Sequence, residues 1–336
     1  MLDRSISLIV CTHNRADLLP RCLRAAAEQT FPLRDYELLV VDNGSTDHTA
    51  HIVERFQRRY REHHIRYFYH SARGLSQARN RAAAEARSPI LHYIDDDAVP
   101  RPDLLERIRH TFDRFPQAAV VGGRIQVTLP ESLPDWFSAY FSGYYSQFNL
   151  PYADIVRLAD VTEFPFGANI SFRREALAQQ GFFRTTLGRM GKDASGGEEL
   201  DMTYRIHLDG GQVFYNPLAL VDHLITPDRI RWGYILQSAG AAGRNWAYYN
   251  REIFRSGGSL EPDFKHWLAT VKQMFQARCK RSVPAYHEAL SKNRFYGAKL
   301  RRELRYYWTP GFLETRSSVV LTVKNGSPVV TRSGGQ

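Results

Sequence analysis

The sequence has few cysteines and lacks any long hydrophobic run. The three cysteines, Cys11, Cys22 and Cys279, show neither paired nor metal-type spacing, so we expect them to be reduced and structural. No apolar run approaches the ~18 residues that span a bilayer. The apolar run at 6–11 is too short for the core of a signal peptide. These absences predict a cytoplasmic protein.

Two nucleotide-binding motifs are also missing. The chain contains no GxxxxGK[ST] motif, which argues against a P-loop nucleotide hydrolase. No GxGxxG follows the first predicted strand, which argues against a dinucleotide-binding domain. Any phosphates bound by this chain are therefore expected to be held by a metal ion and arginine.

The charge is unevenly distributed. The chain carries a net charge of +10, and the segment 265–305 is densely basic, whereas acidic and basic residues are mixed through the first two thirds. Nucleic acid, an anionic membrane face and phosphate-bearing substrates all fit a basic protein. Aromatic and basic residues are not interleaved as in nucleic-acid-binding motifs, so we predict no nucleic-acid partner.

Short apolar strands alternate with helical segments in the first third of the chain. Strands are predicted at 6–11, 36–41, 65–69 and 90–94, and each is apolar on both faces. This pattern predicts an α/β fold with a mostly parallel, doubly wound sheet. Ligands bind beyond the carboxyl ends of such strands, and polar clusters occur at those ends. The clusters are 12–15, Asp42, 73–79 and 95–97.

Three consecutive aspartates end the fourth predicted strand. Because side chains alternate along a strand, Asp95 and Asp97 should point to one face and Asp96 to the other. Two converging carboxylates indicate a hard divalent cation that carries phosphate oxygens. The alternative is an Asp-rich turn in which Asp103 caps the next helix.

Several motifs together resemble family 2 glycosyltransferases of the GT-A fold. The nucleotide-sugar half resembles SLIVCTHNR from Ser7, VVDNGSTD from Val40, GLSQARN from Gly74 and YIDDDA from Tyr93. The acceptor half resembles FGANISF from Phe166, GEELD from Gly197 and VDH from Val221. The match covers about 5–225, and its motifs occur in the family's order.

The resemblance implies a set of site residues and a cofactor, Mn²⁺ or Mg²⁺. The nucleotide-sugar-binding residues are Thr12, Asn14, Arg15, Asp42, Arg79, Asp95 and Asp96, and the metal-binding residues are Asp97, Asp95 and His223. Alternatives remain open for three of them. Asp42 would serve an Asx-turn or cap a helix, Arg79 would lie on a solvated helix face, and His223 would have no special role.

The resemblance also implies the catalytic acids. Glu198 and Glu199 begin a helix predicted to run to about Leu208, where acids are common for structural reasons as well. The family places its catalytic acid at Glu199, which would deprotonate the acceptor, and Glu198 is the second candidate. The anomeric configuration would invert. The glycine-rich segment 188–197 is predicted to order over the donor and exclude water.

The predicted domains are a GT-A domain at 1–228, a basic helical region at 229–323 and a tail at 324–336. The GT-A domain divides into a nucleotide-sugar half at 1–127, an aromatic insertion at 128–160 and an acceptor half at 161–228. The insertion is either an acceptor platform or a hydrophobic cluster that packs onto the body. Helices predicted at 231–255, 264–280 and 285–307 either pack as solvated helices or contact an anionic membrane face peripherally.

The predicted function is that of an enzyme, a metal-dependent inverting hexosyltransferase. Its donor would be a nucleoside-diphosphate sugar, with UDP preferred, and its acceptor a hydroxyl of a saccharide or a lipid-linked molecule. Polysaccharide or glycolipid assembly is the expected setting. The alternative is an inactive glycosyltransferase-like protein that binds nucleotide or acts as a membrane-associated scaffold.

Overall fold

The computed structural model describes residues 5–189, 196–254, 260–307, 319–324 and 327–332, and side chains up to residue 305. The chain forms two compact units. The sheet unit comprises 1–129, 145–193 and 197–226, and the helical unit comprises 130–144, 194–196 and 227–336. The predicted boundary after 228 lies near this division, and the predicted insertion at 128–160 is shared by both units. The middle of the predicted closing loop, 190–195, lies outside the described residues.

The sheet unit begins with four strands and three helices in strict alternation, because apolar runs alternate with amphipathic segments. In order these are β1 Ile6–Thr12, α1 Leu19–Ala27, β2 Tyr36–Asp42, α2 Thr49–Arg59, β3 Ile65–Tyr69, α3 Leu75–Glu85 and β4 Ile90–Asp95. Strands β1 and β2 are almost completely buried, as their uninterrupted apolar sequences predict. The four strands predicted in this third of the chain are confirmed, each within one residue at either end.

The remainder of the sheet unit is less regular. Its elements are β5 Ala98–Pro100, α4 Leu104–Arg114, β6 Ala118–Thr128, β7 Val156–Leu158, β8 Asn169–Arg173, α5 Arg174–Gln179, α6 Glu198–Leu208 and β9 Gln212–Leu224. The strands form one sheet of order β3-β2-β1-β4-β8-β6-β9-β5, and β7 also pairs with β9. Neighbours among β1 to β4 are parallel, whereas β8 is antiparallel to both β4 and β6. The mostly parallel sheet therefore becomes mixed in its second half.

The register aligns the carboxyl ends of four strands. Thr12 of β1 pairs with Asp42 of β2, and Cys11 pairs with Asp95 of β4. Asp42 pairs in turn with Tyr69 of β3. The polar segments that follow these strands consequently meet at one edge of the sheet.

Two predicted helix starts are wrong. Asp17 is predicted to cap α1, but the cap position is Leu18 and no side-chain cap bond forms there. Ser45 or Thr46 is predicted to open α2, which begins at Thr49. The polar residues ahead of α2 are committed to bonds with the loop after β1 instead, as described below. Asp103 does occupy the cap position of α4, although its side chain makes no cap bond.

Strand β9 is longer than the sequence predicts. A short strand at 219–221 followed by His223 is expected, whereas β9 runs for 13 residues and contains His223. Its pairing with β6 shifts register between Asn216 and Leu220, where Pro217 lacks the N–H that a continuous ladder needs. Because of this bulge, the sequence pattern does not predict the full length of β9.

The helical unit contains the three predicted helices with different bounds. They are α7 Trp232–Tyr248, α8 Leu260–Cys279 and α9 Val283–Tyr307, and α9 packs against both others. A Cβ added at Gly243 of α7 would lie 2.1 Å from the carbonyl oxygen of Phe295, so the two helices need glycine to approach this closely. A hairpin of β10 Val319–Lys324 and β11 Ser327–Arg332 follows, and β11 lies within the segment predicted as a tail.

The aromatic residues of the insertion are largely packed. In the helical unit, the ring of Trp136 contacts Phe141, Trp232 and His287. In the sheet unit, Phe148 contacts other rings and is buried. These contacts favour the packing interpretation of the insertion over an open acceptor platform.

None of the helices in the described part of the chain combines the length and apolar character that crossing a membrane requires.

Candidate active site

The aspartates at the end of β4 face two different sets of neighbours. Asp95, Asp97 and His223 each offer a ligand atom, and these atoms lie within 4.8 Å of one another. Asp96 turns away and accepts a 2.7 Å hydrogen bond from the hydroxyl of Thr12. The structure therefore brings together the three side chains predicted to hold a metal ion.

His223 reaches this group because of strand pairing. It lies opposite Ala98 in the antiparallel pairing of β9 with β5. Ala98 directly follows Asp97 in the chain. Nδ1 of His223 lies 2.8 Å from the main-chain oxygen of Tyr145, and its Nε2 lies 2.8 Å from Oδ1 of Asp97. Because a carbonyl oxygen only accepts, Nδ1 must carry a proton, and Nε2 is the nitrogen presented to the carboxylates.

This donor set fits a divalent metal ion. Two carboxylates and an imidazole whose second nitrogen is fixed by a carbonyl form a common arrangement of ligands and supporting bonds. Carboxylate oxygens suit Mg²⁺ and Mn²⁺, and imidazole is a common nitrogen ligand of divalent transition metals. Asp95, Asp97 and His223 are therefore able to hold a divalent metal ion.

The carboxyl group of Asp96 has a raised pKa. Burial and the neighbouring charge of Asp97 raise the pKa of Asp96 to about 7, against the lowering influence of Arg15 and the hydrogen bond from Thr12. Its environment thus differs from that of the two aspartates beside it, as the alternation of side chains predicts. Thr12, Arg15 and Asp96, all predicted to bind the nucleotide sugar, are near neighbours.

The loops after β1 and β2 are bonded to each other. Asp42 is buried and accepts hydrogen bonds from the hydroxyl of Tyr67, at 2.7 Å, and from the main-chain N–H of Ser45, at 2.8 Å. Asn14, with φ at +52°, accepts from the N–H of Thr46 at 2.8 Å. These bonds include a local one, from the N–H of Ser45 three residues after Asp42, which is compatible with a turn or capping role but is not an Asx-turn, where the donor lies two residues on. They also fix Asp42 and Asn14 at the edge where a nucleotide is predicted to bind, which stays a prediction.

Arg79 does not lie on a solvated helix face, so that alternative is wrong. Its side chain is 4% exposed and donates a 2.7 Å hydrogen bond to Glu198. It also lies 3.7 Å from Asp95 and 3.7 Å from Glu199. A single buried guanidinium thereby connects the strand-end acids with the acids that begin α6.

The approach of Arg79 depends on Gly167. A Cβ added at Gly167 would lie 2.2 Å from Nη2 of Arg79. The N–H of the same glycine lies 3.3 Å from Oε1 of Glu199 and donates to it. Gly167 belongs to a motif that carries the family resemblance, but its contacts are with residues distant in sequence.

The two adjacent glutamates have different environments. The side chain of Glu198 is 1% exposed, and burial together with the charge of Glu199 raises its pKa to about 7, despite Arg79. The side chain of Glu199 is 13% exposed. Its Oε2 has no hydrogen-bond partner among the described residues. Oε2 of Glu198 likewise has no hydrogen-bond partner among the described residues. The two glutamates therefore differ in that Glu198 bonds Arg79 directly and is the more deeply buried, whereas Glu199 is the more exposed.

The sequence did not predict some of the residues that hold the site residues in place. Tyr67 holds Asp42, and the main-chain oxygen of Tyr145 orients His223. Asn169 donates from Nδ2 to the main-chain oxygens of Arg124 and Ala219, at 2.9 Å each, where β6 and β9 change register. For Asn169, the one signal in the sequence was its place in the FGANISF motif. Tyr145 gave no signal, because it acts through its main-chain oxygen and not through its side chain.

Comparison with protein families gives a match over the sheet unit. Residues 7–181, more than half of the chain, match the model described as Glycosyl transferase family 2. Glucosyl-dolichyl phosphate glucuronosyltransferase of Haloferax volcanii is 26% identical over 239 residues, which cover 69% of this chain and 72% of the relative. Validoxylamine A glucosyltransferase of Streptomyces hygroscopicus subsp. jinggangensis is 35% identical over 223 residues, covering 61% of this chain and 52% of the relative. The chain thus spans about half the length of the second relative.

Solved structures share the architecture over most of the chain. A mannosyltransferase from Pyrobaculum calidifontis, in complex with GDP-Man and Mn²⁺, has a TM-score of 0.56 at 19% identity, covering 90% of this chain and 76% of that one. TarS of S. aureus, residues 1–349 in complex with UDP, has a TM-score of 0.52 at 15% identity, covering 99% and 98%. At these identities the likeness shows the fold. The prediction of a GT-A sheet with a helical C-terminal region is confirmed.

Proposed function

The chain belongs to glycosyl transferase family 2, and from this premise we propose that it is a metal-dependent, inverting hexosyltransferase. The donor is a nucleoside-diphosphate sugar, with UDP as the preferred nucleotide. The acceptor is a hydroxyl group of a saccharide or of a lipid-linked molecule, in polysaccharide or glycolipid assembly. A relative named for a dolichyl phosphate substrate and a neighbour solved with UDP support these choices. A cytoplasmic location stays a prediction.

One observation carries the proposal. A candidate metal group, Asp95, Asp97 and His223, is connected through the buried Arg79 to Glu199, the more exposed of the two glutamates. A donor site and a base are the two parts that transfer from a nucleotide sugar requires. A purely structural set of acids would not need both a partly exposed base and a converging ligand set.

Asp95, Asp97 and His223 would hold Mn²⁺ or Mg²⁺. When bound, such an ion neutralises the charge that develops on the departing diphosphate. Thr12, Asn14, Arg15 and Asp42, with Asp96, would line the nucleotide side of the same edge. Hydrogen bonds from Thr12 to Asp96, from Ser45 to Asp42 and from Thr46 to Asn14 keep the loops in place before the donor arrives.

Glu199 would act as the general base. As the acceptor oxygen attacks the anomeric carbon, its proton passes to Glu199, and the bond from that carbon to the diphosphate breaks on the opposite side. The configuration at the anomeric carbon therefore inverts. Arg79 offsets the mutual repulsion of Asp95, Glu198 and Glu199 and holds Glu199 in position, so its role is positioning.

Calorimetric titration with UDP, GDP, dTDP and CDP tests the donor site. We expect one diphosphate to bind in the presence of Mn²⁺, weakly without the metal, and not measurably to Asp97→Asn. Asp113→Asn is the matched control, because Asp113 is an exposed acid of α4 that pairs with Arg109. If no diphosphate binds, or if the two variants bind alike, the metal-diphosphate site is refuted.

The inactive-protein alternative requires a second measurement. A protein that binds nucleotide without transferring sugar would pass the titration but release no diphosphate in the presence of acceptors. Turnover of the bound donor that depends on Glu199 supports the enzyme. Nucleotide binding with no turnover across saccharide and lipid-linked acceptors favours the scaffold.

A further inference from the structure

Helix α8 carries an exposed apolar stripe that the site does not use. Phe264, Leu268, Val271 and Phe275 are 51%, 47%, 44% and 70% exposed. Their spacing of four, three and four residues places them within about 60° of one another around the helix. The opposite face of α8 buries Asp263, Thr270 and Ala277. The stripe is therefore a second face of α8, directed to solvent. We call these four residues the α8 stripe.

Basic residues border the α8 stripe. Lys265 and Lys272 lie on one side of it and Arg278 on the other, all of them exposed. Glu261, the acid at this border, is already paired with Lys265 at 2.6 Å. An apolar stripe between cations is the arrangement of helices that lie in the interface of an anionic membrane.

The surrounding charge has the same sign. Residues 260–307 contain eleven basic and four acidic residues, a net charge of +7 out of +10 for the chain. The other three acids are engaged inside the helical unit. Asp263 and Glu303 lie near Lys299, and Glu288 accepts from Ser138 at 2.6 Å. The basic side chains consequently dominate the outer surface of these helices.

We propose that the α8 stripe and its basic border bind the surface of an anionic lipid bilayer. A second copy of the chain fits less well, because it would bring the same cations to this border without acids to pair with them. In the bilayer, the two phenylalanines enter the boundary between headgroups and acyl chains, and the lysines extend to the lipid phosphates. The inference requires no step of the proposed function, although such contact brings the enzyme to a lipid-linked acceptor.

Vesicle co-sedimentation of the full chain tests the proposal. The vesicles contain either phosphatidylcholine alone or phosphatidylcholine mixed with phosphatidylglycerol. We expect binding to the mixed vesicles that weakens as salt is raised. The double variant Phe264→Ser/Phe275→Ser should bind at least about tenfold more weakly. Lys265→Gln and Lys272→Gln should each lose about fivefold.

The control removes two exposed leucines elsewhere. Leu133 and Leu218 are 39% and 55% exposed, and Leu133→Ser/Leu218→Ser should bind vesicles like the unmodified chain. Circular dichroism on every variant confirms folding, which exposed positions should preserve. If the unmodified chain leaves anionic vesicles unbound, or if the stripe variant binds as well as the control, the proposal is overturned.

Two other occupants give distinct results. A dimer in analytical ultracentrifugation that the stripe variant dissociates, with no vesicle binding, assigns the stripe to a second copy and overturns the proposal. If the α8 stripe binds an acidic protein and not a bilayer, the chain should again fail to bind vesicles, and the proposal is overturned. Nucleotide titration of the stripe variant separates this inference from the proposed function, because we expect that binding to be unchanged. Loss of vesicle binding would not count against the donor site. Failure to bind a diphosphate would not count against the membrane-binding surface.

Discussion

The two acid pairs of the site differ in how they are held. Asp95 ends the buried strand β4 and Asp97 follows it, and main-chain pairing sets their positions relative to His223. Glu198 and Glu199 begin a helix, and one arginine side chain sets their environment. The strand-end pair is thus positioned by the sheet, and the helix-start pair by a single ion-pair network.

This difference assigns separate tasks to the pairs. A metal site needs ligands at fixed separations, which a sheet edge supplies. A general base needs a carboxylate that is close to charge compensation and can be reached by the substrate. Glu199 fits this better than Glu198, because Glu198 makes the direct bond to Arg79 and is 1% exposed, whereas Glu199 is 13% exposed.

Replacing the base should cause the largest loss. Glu199→Gln keeps the size of the side chain and removes its ability to take a proton, so kcat should fall by about 10²–10⁴. Nucleotide binding should remain unchanged, since Glu199 is not among the proposed donor ligands. The control is Glu175→Gln, an exposed acid in the first turn of α5. Equal activity of the two variants would exclude Glu199 as the base.

Removing the arginine should destabilise the fold. Arg79→Met leaves Glu198 buried without its countercharge, and the free energy of unfolding should fall by about 3–5 kcal/mol. Arg81→Met, on the same helix at 44% exposure, should change it by less than about 1 kcal/mol. Urea denaturation measures both. The connection between the acid pairs is refuted if the variants are equally stable.

Two substitutions of His223 test the roles of its two ring nitrogens separately. In His223→Asn the amide can replace the Nδ1 contact to Tyr145 but not the Nε2 ligand, so affinity for Mn²⁺ should fall at least about tenfold. His223→Gln, whose amide oxygen reaches the Nε2 position, should lose less. Calorimetric titration with Mn²⁺ and the preferred diphosphate measures the difference. His110→Asn on α4 is the control, and a His223→Asn variant that matches it would remove His223 from the ligand set.

Glu198 should make stability depend on pH. Its pKa rises from 4.5 to about 7 on folding, so the folded chain retains a proton that the unfolded chain loses between these values. The contribution is fully present below pH 4.5, and stability falls as the pH rises toward 7, by on the order of 1–3 kcal/mol. Glu198→Gln should flatten this part of the profile in urea denaturation from pH 5 to 8, and Glu106→Gln should leave it unchanged. A Glu198→Gln profile as steep as that of the unmodified chain would contradict the assignment.

The elements predicted well are those with uninterrupted local patterns. Strand β3 has the predicted bounds, 65–69, and α6 ends at Leu208 as expected. The sheet edge followed from strand ends alone, because parallel strands in register must bring Asp42 and Asp95 to the same side.

The features that were missed depend on distant contacts. Arg79 lies in an alanine-rich helix, and its partner Glu198 is 119 residues away, so local sequence gives no sign that the guanidinium is buried. The length of β9 was obscured because Pro217 marks a bulge and not the end of a strand. The start of α2 was misplaced because Thr46 is bonded to Asn14 of another loop.

The pairing of His223 on both edges of β9 has a consequence for ion size. His223 pairs with Ala98 of β5 on one side and with Val127 of β6 on the other, so its main chain cannot shift without breaking two ladders. Asp97 directly precedes Ala98 and shares this constraint. Asp95 belongs to β4, outside those ladders, and is 34% exposed. We therefore expect exchange between ions of different radius to be accommodated by movement of Asp95, which makes position 95 the place to alter metal selectivity.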